Sequence, residues 1–109
     1  MAKANTVTVS IACGSDTEAQ TIARALVEDR LAACVQSHPI TSTYLWAEAI
    51  ETTAEVMLTA KTRVDKLEAL EARVRELHSY AVPEILAVPV AWAHEPYANW
   101  LDDVLGPGE

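Results

Sequence analysis

The sequence carries two cysteines, three glycines and half as many basic as acidic residues, and each shortage removes a class of function. Cys13 and Cys34 stand alone, with no C-x-x-C pair and no histidine at a zinc spacing, so neither a disulfide framework nor a structural zinc motif is written here. In a reducing cytosol both are free thiols, and the ordinary place for a free thiol is the apolar interior. With so little glycine there is no Gly-rich loop to cradle a phosphate. Eight Lys and Arg against sixteen Asp and Glu give a net charge of −8, and no basic stripe interrupts the acidity, so nucleic acid is repelled. Apolar runs are short as well. None approaches the roughly 20 residues that span a bilayer. The opening MAKANTVTVS stays polar and alternating where a secretion signal would have an apolar block. A cytoplasmic protein without membrane contact is the expectation. No nucleophile–base pair or pair of catalytic carboxylates stands out, and an enzyme is not expected.

What is present suffices for a core. Half of the 109 residues are hydrophobic, and the length suits one domain over residues 1–109. From Thr6 to Ile11, Val7, Val9 and Ile11 alternate with hydroxyls, the pattern of a strand with one buried face. Gly14-Ser15 ends it, and Ser15 with Glu18 three residues on is a capping box. The helix it opens should run to about Leu31, striped by Ala19, Ile22, Ala23, Leu26 and Val27. Ala33 to Val35 begins a second strand, which Pro39 must bend or hold at an edge, and Ile40 to Ile50 continues it. Glu51-Thr52-Thr53 reads as the turn into a third strand, Val56 to Thr62. A second helix covers Val64 to His78, with Leu67, Leu70, Val74 and Leu77 on one side. Ile85 to Val90 is nearly continuous in its apolar residues and reads as a fourth strand buried on both faces, although Pro89 within it puts a bulge or a sheet edge nearby. Tyr97 to Leu105 reads as a closing helix.

The order β-α-β-β-α-β, with right-handed crossovers, predicts an α+β, ferredoxin-like sandwich: a four-stranded antiparallel sheet with both main helices on one face. The other face has no helix of its own, and Tyr44 and Trp46 fall on it. An uncovered apolar patch of that kind marks an interface, so an oligomer is expected.

Several stretches, taken in order, are similar to one family. They are R-L-A-A-C-V at Arg30–Val35, T-S-x-Y-x-W at Thr41–Trp46 and A-K-T-R at Ala60–Arg63. R-x-R-E-L-H-x-Y-x-V-P-E-I follows at Arg73–Ile85, and Y-x-x-W-L at Tyr97–Leu101. Together they resemble the CutA family of divalent-cation-tolerance proteins over nearly the whole chain. The resemblance implies a ferredoxin-like subunit in a tight homotrimer, an architecture similar to that of PII signalling proteins, whose clefts between subunits take small ligands. It also implies an association with copper and other divalent metals, without an established catalytic activity. The chain departs from the family pattern in places. Pro-Gly-Val before Thr-Ser has become Pro39 followed directly by Ile40, Trp-Glu-Gly-Lys has become Trp46-Ala47-Glu48-Ala49, and His-Pro-Tyr has become His78-Ser79-Tyr80. A first-strand cysteine proposed as a metal ligand in some members falls at Ile11 here.

His78 is the leading candidate ligand, since imidazole accepts copper, although a helix C-terminus favours histidine for the dipole alone. Glu84, at the mouth of the fourth strand, and Cys34, if the fold brings it near, are the candidates to complete a site for copper or another divalent cation. Trp46, Lys61 and Tyr80 are the candidates for a cleft that takes a small ligand or a partner's segment, with Glu84 available to pair with Lys61. His38 and His94, beside Pro39 and Glu95-Pro96, read as solvated loop residues.

Overall fold

Alternation in the first strand sets which side of the sheet is dry, and the rest of the fold follows from it. The computed structural model describes residues 5–108; the first four residues, where the segment read for a secretion signal begins, and Glu109 lie outside the described residues. The elements are β1 (Thr6–Cys13), α1 (Asp16–Glu28), β2 (Cys34–Trp46), β3 (Ala49–Arg63), α2 (Leu67–Leu77), β4 (Ile85–Pro89) and α3 (Glu95–Leu105). The strands form one antiparallel sheet in the order β2-β3-β1-β4, the ferredoxin-like α+β arrangement.

Val7, Val9, Ile11 and Cys13 face the helices. They are closed over by Ile22 and Leu26 of α1, Leu70 and Val74 of α2, and Leu58 and Ala60 of β3. Each large side chain buried this way contributes about 1.5–3 kcal/mol. α1 starts where expected, with Ser15 Oγ accepting the Glu18 amide, but it stops at Glu28, short of Leu31. Arg30 then takes a positive φ of 58° and donates from its guanidinium to the Val104 carbonyl. α3 seats Leu101 and Leu105 on Ala33. It is also tied to the end of β3 by Arg63, a guanidinium only 5% exposed that bonds Asp65 at 2.9 Å and Asp102 at 3.4 Å.

Two sequence expectations are corrected. β4 pairs only with β1, at the sheet edge that Pro89 allowed, but Leu86 and Val88 stand exposed on the face away from α1 and α2. An apolar run there signals a face that α1 and α2 leave open rather than burial on both sides. The hairpin turn lies at Ala47-Glu48, not at Glu51–Thr53, and β2 pairs with β3 without a break from Cys34–Lys61 to Trp46–Ala49. Pro39 opposes Val56 within that ladder, tolerated because β2 is an edge.

Ala47 and Glu48 both adopt positive φ, 51° and 66°. A two-residue hairpin of this hand normally uses Asn-Gly, since left-handed backbone carries a steric cost for other L-residues. Replacing the pair by Asn-Gly should therefore stabilise the protein by about 1 kcal/mol, read as a higher urea midpoint. An unchanged or lower midpoint would refute the left-handed turn.

Candidate functional site

α2 ends at Leu77, and His78 leaves it in extended backbone, φ −83° and ψ 138°. Its ring turns inward and both nitrogens meet backbone. Nε2 lies 2.7 Å from the Ala12 carbonyl oxygen, which can only accept, so Nε2 donates. Nδ1 accepts the Tyr80 amide at 3.1 Å, which completes a neutral imidazole in a single tautomer. His78 is thus a latch between the exit of α2 and the end of β1. Tyr80 packs on the ring at 4.7 Å and passes across Gly14 to reach the other face of the sheet. A Cβ at Gly14 would stand 3.1 Å from the Tyr80 hydroxyl, so the crossing depends on glycine.

Glu18 serves the same junction. Its Oε1 accepts the Gly14 amide at 3.1 Å and its Oε2 the Ser79 amide at 2.7 Å. Burial opposes its charge, but the hydrogen bonds from Ser79 and Gly14 outweigh it and hold the carboxyl below its usual range. Cys13 ends β1 against the helices. Burial first, and then Glu18 and Glu55 nearby, push its thiol up to about 12. Cys13, Glu18 and His78 place one ligand atom each within 4.8 Å of one another, with Nδ1 4.0 Å from Glu18 Oε1. Ligands sharing one ion at 2.0–2.3 Å stand about 3.5 Å apart, so these atoms would have to draw together by up to about 1 Å to share one.

The candidates read from sequence divide between separate places. Cys34 lies opposite Lys61, and Lys61 opposite Thr8. Thr8 is four residues from Ala12 along β1, about 13 Å, so within one chain Cys34 and His78 occupy different ends of the sheet. Cys34 packs beside Tyr97, and the Lys61 ammonium sits 6.0 Å above the Tyr97 ring. Glu84 does not pair with Lys61; its carboxylate accepts the Ser10 hydroxyl at 3.0 Å.

Trp46, Tyr80 and Glu84 come together on the sheet face turned away from α1 and α2. There they line a cleft of about 630 Å³ with Ser42, Tyr44 and Glu55, while Lys61 is outside it. The Tyr80 hydroxyl donates to Glu55 Oε2 at 2.6 Å, and that carboxylate raises the phenol's pKa well above its usual range. Sequence reasoning missed three residues here. Glu18 was legible only as a cap and Cys13 only as an interior thiol, and nothing in the pattern marked Glu55.

Residues 7–104, from β1 into α3, match the family described as CutA1 divalent ion tolerance protein. The chain belongs to that family. Among CutA relatives, the divalent-cation tolerance protein CutA of Thermus thermophilus is 43% identical over 99 residues, a match covering 90% of this chain and 96% of that one. The CutA homolog of Xenopus laevis is 44% identical over 96 residues, which are 87% of this chain but 64% of that protein, so this chain spans under two thirds of the relative. A solved CutA structure from Archaeoglobus fulgidus, described as a periplasmic divalent cation tolerance protein, superposes with a TM-score of 0.91 at 34% identity. It covers 93% of this chain and 99% of its own. The departures from the CutA pattern leave the fold intact, since the ladder runs straight through Pro39-Ile40 and the turn closes on Ala47-Glu48 without glycine.

Proposed function

We propose that this CutA-family chain binds a divalent cation, copper foremost, through Cys13, Glu18 and His78, and that it does so as a homotrimer. The observation that carries the reading is the clustering of a thiol, a carboxylate and an imidazole within 4.8 Å at the point where β1, α1 and the exit of α2 meet. Imidazole and thiolate suit copper and zinc, and a carboxylate adds charge. The Glu18 oxygens each keep a lone pair beyond the amide they accept. His78 would offer Nδ1 on release of the Tyr80 amide, and the Cys13 thiol would give up its proton to the solvent. The site's role is binding, with no reaction step assigned to it. A reducing cytoplasm would keep the thiol available. Among the described residues no helix is long and apolar enough to cross a membrane. The trimer is supported by the apolar side chains exposed on the face turned away from α1 and α2, among them Tyr44, Trp46, Leu86 and Val88.

Native mass spectrometry before and after one equivalent of Cu(II) per chain tests both halves of the proposal. A trimer holding copper in a fixed ratio is expected, with Cys13→Ala losing at least tenfold in affinity while keeping the His78 latch. Uptake in a broad series indifferent to Cys13→Ala would mean surface adsorption to an acidic protein, and a monomer would remove the quaternary half.

A further inference from the structure

We propose that Tyr80 sets the affinity of the Cys13–Glu18–His78 group for its cation, holding that group shut through a bond made on the opposite face of the sheet. The inference rests on the metal reading above and adds the residue that regulates it. His78 has a single nitrogen lone pair to give, because Nε2 donates to the Ala12 carbonyl at 2.7 Å. That lone pair, on Nδ1, already accepts the Tyr80 amide at 3.1 Å. Glu18 is engaged by the preceding amide, Ser79 donating to Oε2 at 2.7 Å. Successive amides of one segment thus lie against two of the three ligands. A cation and the Tyr80 amide exclude each other at Nδ1, so loading requires the backbone at Tyr80 to withdraw.

The backbone is not free to withdraw. The Tyr80 ring packs on His78 with centroids 4.7 Å apart and passes close over Gly14, and its hydroxyl donates to Glu55 Oε2 at 2.6 Å. A hydrogen bond to a carboxylate is among the stronger kinds, and Glu55 is buried, so water competes poorly for it. The bond lies within one chain and holds whether or not other copies cover that face. Shut and loaded states are therefore alternatives, and the apparent affinity is the intrinsic one reduced by the fraction of chains in which the segment has withdrawn. By linkage, a bound cation loosens Tyr80 to the same degree as Tyr80 opposes the cation. Tyr80 stands on the face where copies meet in the proposed trimer, so occupancy of the group is felt there.

Zinc is the probe, because it takes thiolate and imidazole and leaves the thiol unoxidised. Tyr80→Phe keeps the ring on His78 and its passage over Gly14 but removes the hydroxyl. It should bind zinc about tenfold more tightly than the wild type in competition with a chelating dye. Tyr44→Phe is the control: it loses the hydroxyl contact with Thr53, a different hydrogen bond, and should bind zinc as the wild type does. In the wild type, hydrogen exchange read by NMR at the Tyr80 amide should quicken at least about tenfold on zinc loading, while the amides of β1 keep their protection. Tyr80→Phe binding no more tightly than the wild type would overturn the proposal, as would an equal gain in Tyr44→Phe. A Tyr80 amide that stays protected in the loaded protein would do so too. With zinc bound in a fixed ratio, each of these results removes the role of Tyr80 and leaves the metal group standing. A wild type that takes up neither zinc nor copper in a fixed ratio would remove both.

Discussion

His78→Ala is expected to lower folding stability by about 3–4 kcal/mol. The ring is buried and makes two backbone bonds, to the Ala12 carbonyl and from the Tyr80 amide, besides its contact with the Tyr80 ring. Alanine strands both backbone groups, at about 1–3 kcal/mol for each that stays dry. It also opens a cavity at the end of the sheet. The segment Ser79–Pro83 then loses its anchor, and Tyr80 with it, so loss of the Tyr80–Glu55 bond should follow. His78→Gln, whose amide can donate toward Ala12, should recover part of the loss. Denaturant unfolding with and without chelator separates the latch from any metal effect. A chelator-independent penalty supports the latch, whereas a penalty under about 1 kcal/mol would mean that the two backbone bonds matter little.

Arg63→Ala should cost about 3 kcal/mol at neutral pH, the lower end for a broken buried ion pair, because its carboxylate partners are about one fifth exposed and water can reach them. Asp102→Ala should cost less, since Asp65 would still hold the guanidinium. Hydrogen bonding from Arg63 holds the Asp65 carboxyl below its usual range, against the effect of burial. A depressed folded pKa contributes stability that is complete above the unfolded value of about 3.9 and is lost as pH falls through the folded one. The Arg63→Ala penalty should therefore be largest above about pH 5 and shrink toward pH 2. A penalty that stayed constant across that range in thermal or urea unfolding would argue that packing, not charge, holds α3 to β3.

Much of this arrangement was legible because local chemistry and tertiary structure agreed. Ser15 caps α1 as the S-x-x-E spacing says, and Val7, Val9 and Ile11 face the core as their alternation says. The family was legible too, from motifs spread along the chain. The turn at Ala47-Glu48 was not, because neither residue is one that prefers left-handed backbone, and the pairing of two long strands imposes it. β4 misled for a related reason: an apolar run is the same whether helices cover one face of the strand or both. Lys61 and Glu84 attract on paper, but the register places one beside Tyr97 and the other at Ser10, and only the sheet could say so. The Cys13–Glu18–His78 group joins residues far apart in sequence and depends on where α2 lets go of the chain.

The position of β1 has a consequence for how the molecule is made. β1 pairs with residues 56–63 on one side and 85–89 on the other, yet it is made before either of them. At about 5–20 residues per second, several seconds pass before its second partner exists. β2 and β3 need no such wait, since they zip together across their own two-residue turn. Until residues 56–63 are made, a nascent chain holds Val7, Val9 and Ile11 as an unpaired apolar strand with only α1 to shield it, and one edge of β1 stays open to mispairing until residues 85–89 follow.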